Sequence, residues 1–245
     1  EDLILLLRTN ELEVGVFTIT SEGETDNILK ITSILEKNKN NWFINEIIGF
    51  LRRTISRLDL SSRSIFTIVD NNSCFSGILA ELLFCADRTY MLNNSLEANG
   101  LKGPYVALSE LNFLSLEMVN GLTRLSTRFN SDEPKLNNLR KLIDIKMNAE
   151  EAYAEELITI IPDDLDWEEE IRLSVEERTS FSPDALTGLE ANLRFPGKET
   201  CETKIFGRLS AWQNWIFNRP NAVSEEGALK LFGTGTRAKF DNKRV

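Results

Sequence analysis

Apolar residues along this chain recur with two different periods, and the alternation between them predicts an α/β arrangement. Leu3–Arg8 and Leu12–Thr20 are rich in apolar and β-branched residues and predict strands. In Asp26–Lys37 the apolar positions Ile28, Leu29, Ile31, Ile34 and Leu35 form a helical stripe, with Asp26 or Thr25 as the cap. Trp42–Leu58 predicts a second helix, with Ile44, Ile47, Ile48, Leu51, Ile55 and Leu58 inward and Arg52, Arg53 and Arg57 outward. Ile65–Val69 is a continuous apolar run, the pattern of a strand covered on both faces. A helix over Gly77–Ala86 and a short strand over Thr89–Leu92 follow. Next come a polar loop over Asn93–Pro104, a strand over Tyr105–Leu108 and a helix over Ser115–Arg124.

The second half reads as mainly helical. Helices are expected over Lys135–Ile143, Ala149–Glu156, Leu165–Arg178, Pro183–Leu193 and Cys201–Phe217, with a short strand at Leu157–Ile161 and a charged, glycine-containing tail from Asn221. The pattern therefore divides the chain into an α/β core, residues 1–132, and a helical region with its tail, residues 133–245. The chain opens at Glu1, inside the apolar run Leu3–Leu7. A buried strand without a preceding partner leads us to expect a further segment upstream. Simple trimming is the plain alternative.

One stretch carries the most chemistry. Phe66–Arg88 reads as a buried strand, a polar turn with one glycine, and a helix in which Glu81 stands alone among apolar residues. A carboxylate in such a place must be paired or protonated. The turn also offers the N–H of Ile78 at a helix start, a donor suited to a developing negative charge. Glu110, just after the apolar run Val106–Leu108, is a second carboxylate that could face the same space, and two close carboxylates separate into an acid and a base. Each has a plain structural reading as well. Glu81 could be a structural acid paired with Arg88, Arg63 or a backbone group, and Glu110 could be a helix N-terminal residue behind a Ser109 cap.

Composition narrows the chemistry. The chain holds no histidine, which removes Ser-His-Asp and Cys-His catalysis and the usual zinc sites. Its formal charge of −10 argues against general nucleic-acid or anionic-membrane binding, and no apolar run reaches membrane-spanning length. Cys74, Cys85 and Cys201 stand far apart, as reduced thiols of a cytoplasmic protein would.

Other features read as structural. Cys74 lacks an activating base, and the Trp212/Trp215 pair fits a packing or subunit face. The acidic run Asp163–Glu170 lacks calcium-loop spacing, Gly233-Thr-Gly235 carries almost no phosphate-binding signal, and the basic tail (Arg237, Lys239, Lys243, Arg244) reads as a solvated terminus.

At this point the motifs resemble a known family. Gly77-Ile-Leu-Ala-Glu-Leu-Leu-Phe-Cys-Ala-Asp87 resembles the signature of the crotonase (enoyl-CoA hydratase/isomerase) superfamily, in which a glycine-rich turn precedes Glu-Leu and an apolar run ending in Asp. Leu108–Phe113 with Asn120–Arg124 resembles the later segment that holds that superfamily's second glutamate. Leu7–Leu12, Phe50–Thr54, Leu58–Arg63, Ser182–Arg194, Ala211–Phe217, Arg219–Ala222 and Glu226–Leu229 are similar, more narrowly, to the benzoyl-CoA-dihydrodiol lyase family. The resemblance implies a crotonase-like ββα spiral core, truncated at its N-terminus, with a C-terminal helical extension. It implies a carbon–carbon lyase of aerobic benzoate breakdown that cleaves the ring of epoxidised benzoyl-CoA to 3,4-dehydroadipyl-CoA semialdehyde and formate. Neither a metal nor a redox cofactor is implied, since the substrate itself carries CoA. The implied partners are the acyl-CoA thioester, an upstream crotonase-like half and a second copy in a homodimer.

By motif, Glu81 and Glu110 fall on the catalytic glutamate positions, and Gly77 and Ile78 on the oxyanion turn. This chain departs from the pattern in two places. Ser76-Gly77-Ile78 replaces the usual three glycines, and no Ala-Gly-Ala-Asp loop is recognisable between Val14 and Asp26. A non-catalytic scaffold half and a simple enoyl-CoA hydratase therefore stand as alternatives.

Overall fold

A computed structural model describes residues 1–93 and 103–243. Most of the expected 93–104 loop, and Arg244 of the basic tail, lie outside the described residues. The chain forms two compact units, one of Phe17–Ser61 and Ile65–Val175, the other of Glu1–Val16, Ser62–Ser64 and Glu176–Val245.

The first unit is built around a three-stranded sheet, β1 (Val16–Ile19), β2 (Ser64–Val69) and β3 (Arg88–Met91), with β2 central. Val16 and Ser64, the first residues of β1 and β2, are assigned to the other unit. β2 and β3 run parallel in the register Phe66↔Arg88 to Val69↔Met91. Every residue of β2 is buried, as its continuous apolar run predicts. Two helices fall between β1 and β2: α2 (Thr25–Lys37) and α3 (Trp42–Asp59). α3 begins where the Asn41 side chain accepts from the Phe43 N–H at 2.9 Å. The expected cap of α2 is corrected: Glu24 is the N-cap residue, without a side-chain bond, and Thr25 and Asp26 lie inside the helix.

After β2 the chain makes a 3-10 turn (Gly77–Leu79) that runs into α4 (Ala80–Phe84). One apolar cluster then gathers Val69, Phe75, Leu83 and Met91 with Leu125, Leu139, Met147 and Leu157. A second joins α2 and α3 to the turn through Leu35, Ile48, Ile78, Leu111 and Leu116.

Three expected elements differ. The helix over Ser115–Arg124 is replaced by α5 (Leu111–Leu114) and α6 (Arg124–Arg128), separated by a reverse turn. Gly121 takes a φ of +79°, the Asn120 side chain accepts from Leu122 N–H at 3.1 Å, and Thr123 caps α6, so Asn-Gly chemistry breaks the helical pattern. Tyr105–Leu108 makes isolated bridges, to Ser76, Met147 and Ile143, instead of a strand. Leu157–Ile161 likewise contributes one bridge, Tyr90↔Ile160. Beyond α6 come α7 (Glu133–Arg140), α8 (Ala149–Ala154) and α9 (Trp167–Thr179).

In the second unit, Leu3–Arg8 is not a strand: it lies within the helix α1 (Asp2–Thr9). Leucine and arginine are good helix formers and the segment has only one β-branched residue, so propensity prevails where no sheet edge is offered. The Arg63 guanidinium donates to the carbonyls of Leu7 at 2.5 Å and Glu11 at 2.9 Å, and so fastens the end of α1. α10 (Pro183–Arg194) presents Glu190, which accepts from the Ser64 hydroxyl and lies 3.6 Å from both Arg178 and Arg194. α11 (Cys201–Thr203) continues through a π-helical stretch, Lys204–Leu209, into α12 (Ser210–Ile216). Trp212 and Trp215 stack edge-on at 5.5 Å, and Trp212 packs so closely on Gly188 that a Cβ there would meet its ring at 3.3 Å. This is the packing face expected of the tryptophan pair. The tail adds α13 (Pro220–Val223) and α14 (Ala228–Leu231). No helix among the described residues is long and apolar enough to cross a membrane.

Candidate functional site

The turn between β2 and α4 is the place to look for chemistry, because it ends a buried strand and opens a helix. Its shape depends on glycine: Gly77 takes a φ of +53°, and a Cβ there would lie 2.4 Å from the Thr32 hydroxyl oxygen on α2. α2 is thus pressed against the turn. The consequence falls on the expected oxyanion donor. The Ile78 N–H donates to Thr32 Oγ1 at 3.1 Å, and that hydroxyl donates in turn to the Ile28 carbonyl at 2.8 Å. The Gly77 N–H donates to the Ala107 carbonyl at 2.8 Å. Both N–H groups of the turn are bonded inside the protein, and Thr32 is buried with them.

Glu81, in the first turn of α4, has no exposed surface. Its Oε1 accepts from the Asn112 amide at 2.8 Å and its Oε2 from Arg124 Nη1 at 2.7 Å. Asn112 is itself held by the Gly77 carbonyl, and by the Ser109 N–H and hydroxyl. Arg124 reaches further: its Nε and Nη2 grip both oxygens of Asp59 at 3.0 and 2.5 Å, and Nη1 also donates to the Leu116 carbonyl at 2.9 Å. A planar guanidinium is suited to such a two-sided clamp.

Burial is the largest influence on Glu81 and pushes its carboxyl above the ordinary range, helped by Asp59 and opposed by Arg124 and Asn112. Burial also works against the charge on Arg124, but Glu81 and Asp59 outweigh it and raise the guanidinium. Two carboxylates and one cation are therefore sealed together, each oxygen of Glu81 already holding a donor.

Glu110 lies elsewhere in this scheme. It is exposed, on the turn before α5, and the charges acting on Glu81 are those of Arg124 and Asp59. Its electrostatic neighbour is Glu36 at the end of α2. The half-buried Glu36 carboxylate accepts from the Leu111 N–H at 3.2 Å. Burial raises it first, the Leu111 N–H opposes this, and Asp144 and Glu110 push it up further. Of the four residues singled out from sequence, Gly77, Ile78 and Glu81 come together in one turn. Glu110 does not join Glu81.

As it stands, the arrangement holds elements in place: α3, α4, α5 and α6 meet at Asp59, Glu81, Asn112 and Arg124. In this geometry each oxygen of Glu81 already accepts from a donor within the protein, and the Ile78 N–H already has an acceptor.

No family model matches the chain. Among curated proteins, it is 51% identical over all 245 residues to the benzoyl-CoA-dihydrodiol lyase of Aromatoleum evansii, and it spans 43% of that protein's length. Among solved structures, an enoyl-CoA hydratase from Bacillus anthracis superposes with a TM-score of 0.65 at 14% identity, covering 99% of this chain and 89% of the other. Pseudomonas aeruginosa DspI gives 0.67 at 13% identity, covering 98% and 84%. A putative enoyl-CoA hydratase from Streptomyces coelicolor gives 0.66 at 12% identity, covering 99% and 82%. The fold is that of the crotonases.

The sequence reading missed the residues that bond to the turn and to Glu81. Thr32, Asp59, Asn112 and Arg124 are not among the residues that the sequence pattern singles out. A signal for two of them was present. Asp59 and Arg124 both sit at inward positions of apolar patterns, beside Leu58 and Leu125, and a charge at such a position implies a buried partner. Nothing in the local pattern around Thr32 points to the turn, since the two meet only through packing of α2.

Proposed function

We propose that this chain is a portion of a ring-cleaving acyl-CoA lyase of the benzoyl-CoA-dihydrodiol lyase kind. Such an enzyme would convert epoxidised benzoyl-CoA to 3,4-dehydroadipyl-CoA semialdehyde and formate in the cytoplasm, with neither metal nor redox cofactor. The 51% identity along the whole chain supports this reading. Within that enzyme the chain acts as a supporting copy of the crotonase fold, and the chemistry belongs to a second crotonase-like half. The observation that carries this second point is the bond from the Ile78 N–H to Thr32, made beside a Glu81 already clamped by Arg124 and Asn112. The supporting half would complete the assembly, including a homodimer, and exclude water from the partner half's site.

The test is reconstitution. The remaining half of such a lyase is expressed with and without this chain, and ring cleavage is followed by formate release. We expect cleavage only when both are present, and no hydration of crotonyl-CoA by this chain alone. Turnover of crotonyl-CoA by the isolated chain would instead make it a hydratase, and full ring cleavage by the other half alone would remove its supporting role.

A further inference from the structure

α3 carries two apolar stripes. One turns into the fold, where Ile48, Ile55 and Leu58 are buried and Ile44 and Leu51 pack against the second apolar cluster. The other, Phe43, Ile47 and Phe50, recurs at the four- and three-residue steps that bring side chains to one side of a helix. At 3.6 residues per turn the two stripes lie about a quarter turn apart. On the second stripe Phe43 and Phe50 expose 58% and 50% of their surface, with Ile47 half-buried between them. Trp42, 76% exposed, stacks edge-on against Phe43 with ring centroids 5.6 Å apart, so it extends the same aromatic surface. Glu46 and Arg53, 4.0 Å apart and both more than half exposed, flank it.

Single exposed apolar side chains are ordinary, but three large aromatic rings grouped on one side of a helix are not. A side meant for water would carry polar residues there. An aromatic centre with a charged rim is the composition of a protein interface. Rings at i and i+7, with an isoleucine at i+4, are spaced as the side chains by which a helix enters an apolar groove. Length and charge indicate what covers this surface. The chain spans 43% of the lyase it is similar to, so more than half of a protein of that kind lies outside the matched part. A second copy of this chain would instead bring a further formal charge of −10 to the contact, which opposes self-association.

We propose that the remaining half of the lyase docks on this side of α3, with Trp42, Phe43 and Phe50 entering an apolar groove of that half. The proposal rests on the lyase reading above and adds the place of contact. None of these side chains belongs to the network around Glu81.

Calorimetric titration of the chain with the separately expressed remaining half, together with sedimentation of each alone and of the mixture, tests it. The parent chain should form a saturable complex. In F43E/F50E its affinity should fall by about 100-fold or more, and in W42A by about tenfold, with melting temperatures close to the parent's. L165E, which places a carboxylate at a position 88% exposed and remote in sequence from α3, should bind as the parent does. Binding of F43E/F50E at parental affinity, or an equal loss in L165E, overturns the docking surface and leaves the lyase reading standing. Self-association of the chain alone that F43E/F50E dissolves assigns the surface to a second copy and likewise overturns the proposal. Absence of any complex with the parent chain overturns both the proposal and the lyase reading.

Discussion

At the scale of single residues, the molecule turns on how Glu81 and the Ile78 N–H are occupied. A carboxylate raised by burial binds a proton in the folded state at pH values where the unfolded chain, with an ordinary Glu near 4.3, has lost it. The contribution of Glu81 to stability is therefore fullest below that value and is lost as pH rises through the higher folded pKa. In Glu81→Gln this part of the pH dependence should vanish, leaving a flatter curve of urea midpoint against pH above about 4.3; an identical slope in both proteins would contradict the account. Thr32 makes a separate prediction. Thr32→Val keeps the shape but removes the acceptor of the Ile78 N–H, and should cost about 1–3 kcal/mol in urea unfolding, whereas Thr32→Ser should stay close to the parent. Equal losses in the two variants would mean that packing, and not the hydrogen bond, holds the turn.

At the scale of elements, the sequence was legible where pattern and local chemistry agreed. β2, α3, α10 and the long Trp-bearing helix stand where their apolar periods place them, and the Asn148–Glu151 capping box starts α8 on schedule. Asn148→Ala should therefore cost about 1 kcal/mol in thermal or urea unfolding, a test of whether this cap contributes to a helix whose buried residues are only Ala149 and Ala152. Where two rules conflicted, the sequence misled. Leu3–Arg8 satisfies both a strand's hydrophobicity and a helix's propensity, and only the absence of a sheet neighbour decides it. Asn120-Gly121 interrupts an otherwise helical stretch with a turn that the apolar spacing conceals. The candidate site was half legible for the same reason. Motif order places Gly77, Ile78 and Glu81 together, but their partners Thr32, Asp59, Asn112 and Arg124 are separated from them by 31 to 46 residues, or by 22 in the case of Asp59, and are joined by tertiary packing alone.

At the scale of the whole molecule, a crotonase fold has kept its architecture while its expected chemical groups are bonded to one another. Asp59, Glu81, Asn112 and Arg124 fasten four helices, a use of charge that gives a fixed arrangement at the expense of a free base. The chain spans 43% of the lyase it resembles, and the proposed division of labour between a supporting copy and a chemical copy is drawn from these two facts. The most direct test is ring cleavage by the reconstituted lyase carrying Glu81→Gln and Glu110→Gln together, measured as turnover per folded enzyme at saturating substrate. A supporting copy predicts turnover within about twofold of the parent. Loss of about 100-fold or more, the usual cost of removing a general acid or base, would place the chemistry in this chain and contradict the account.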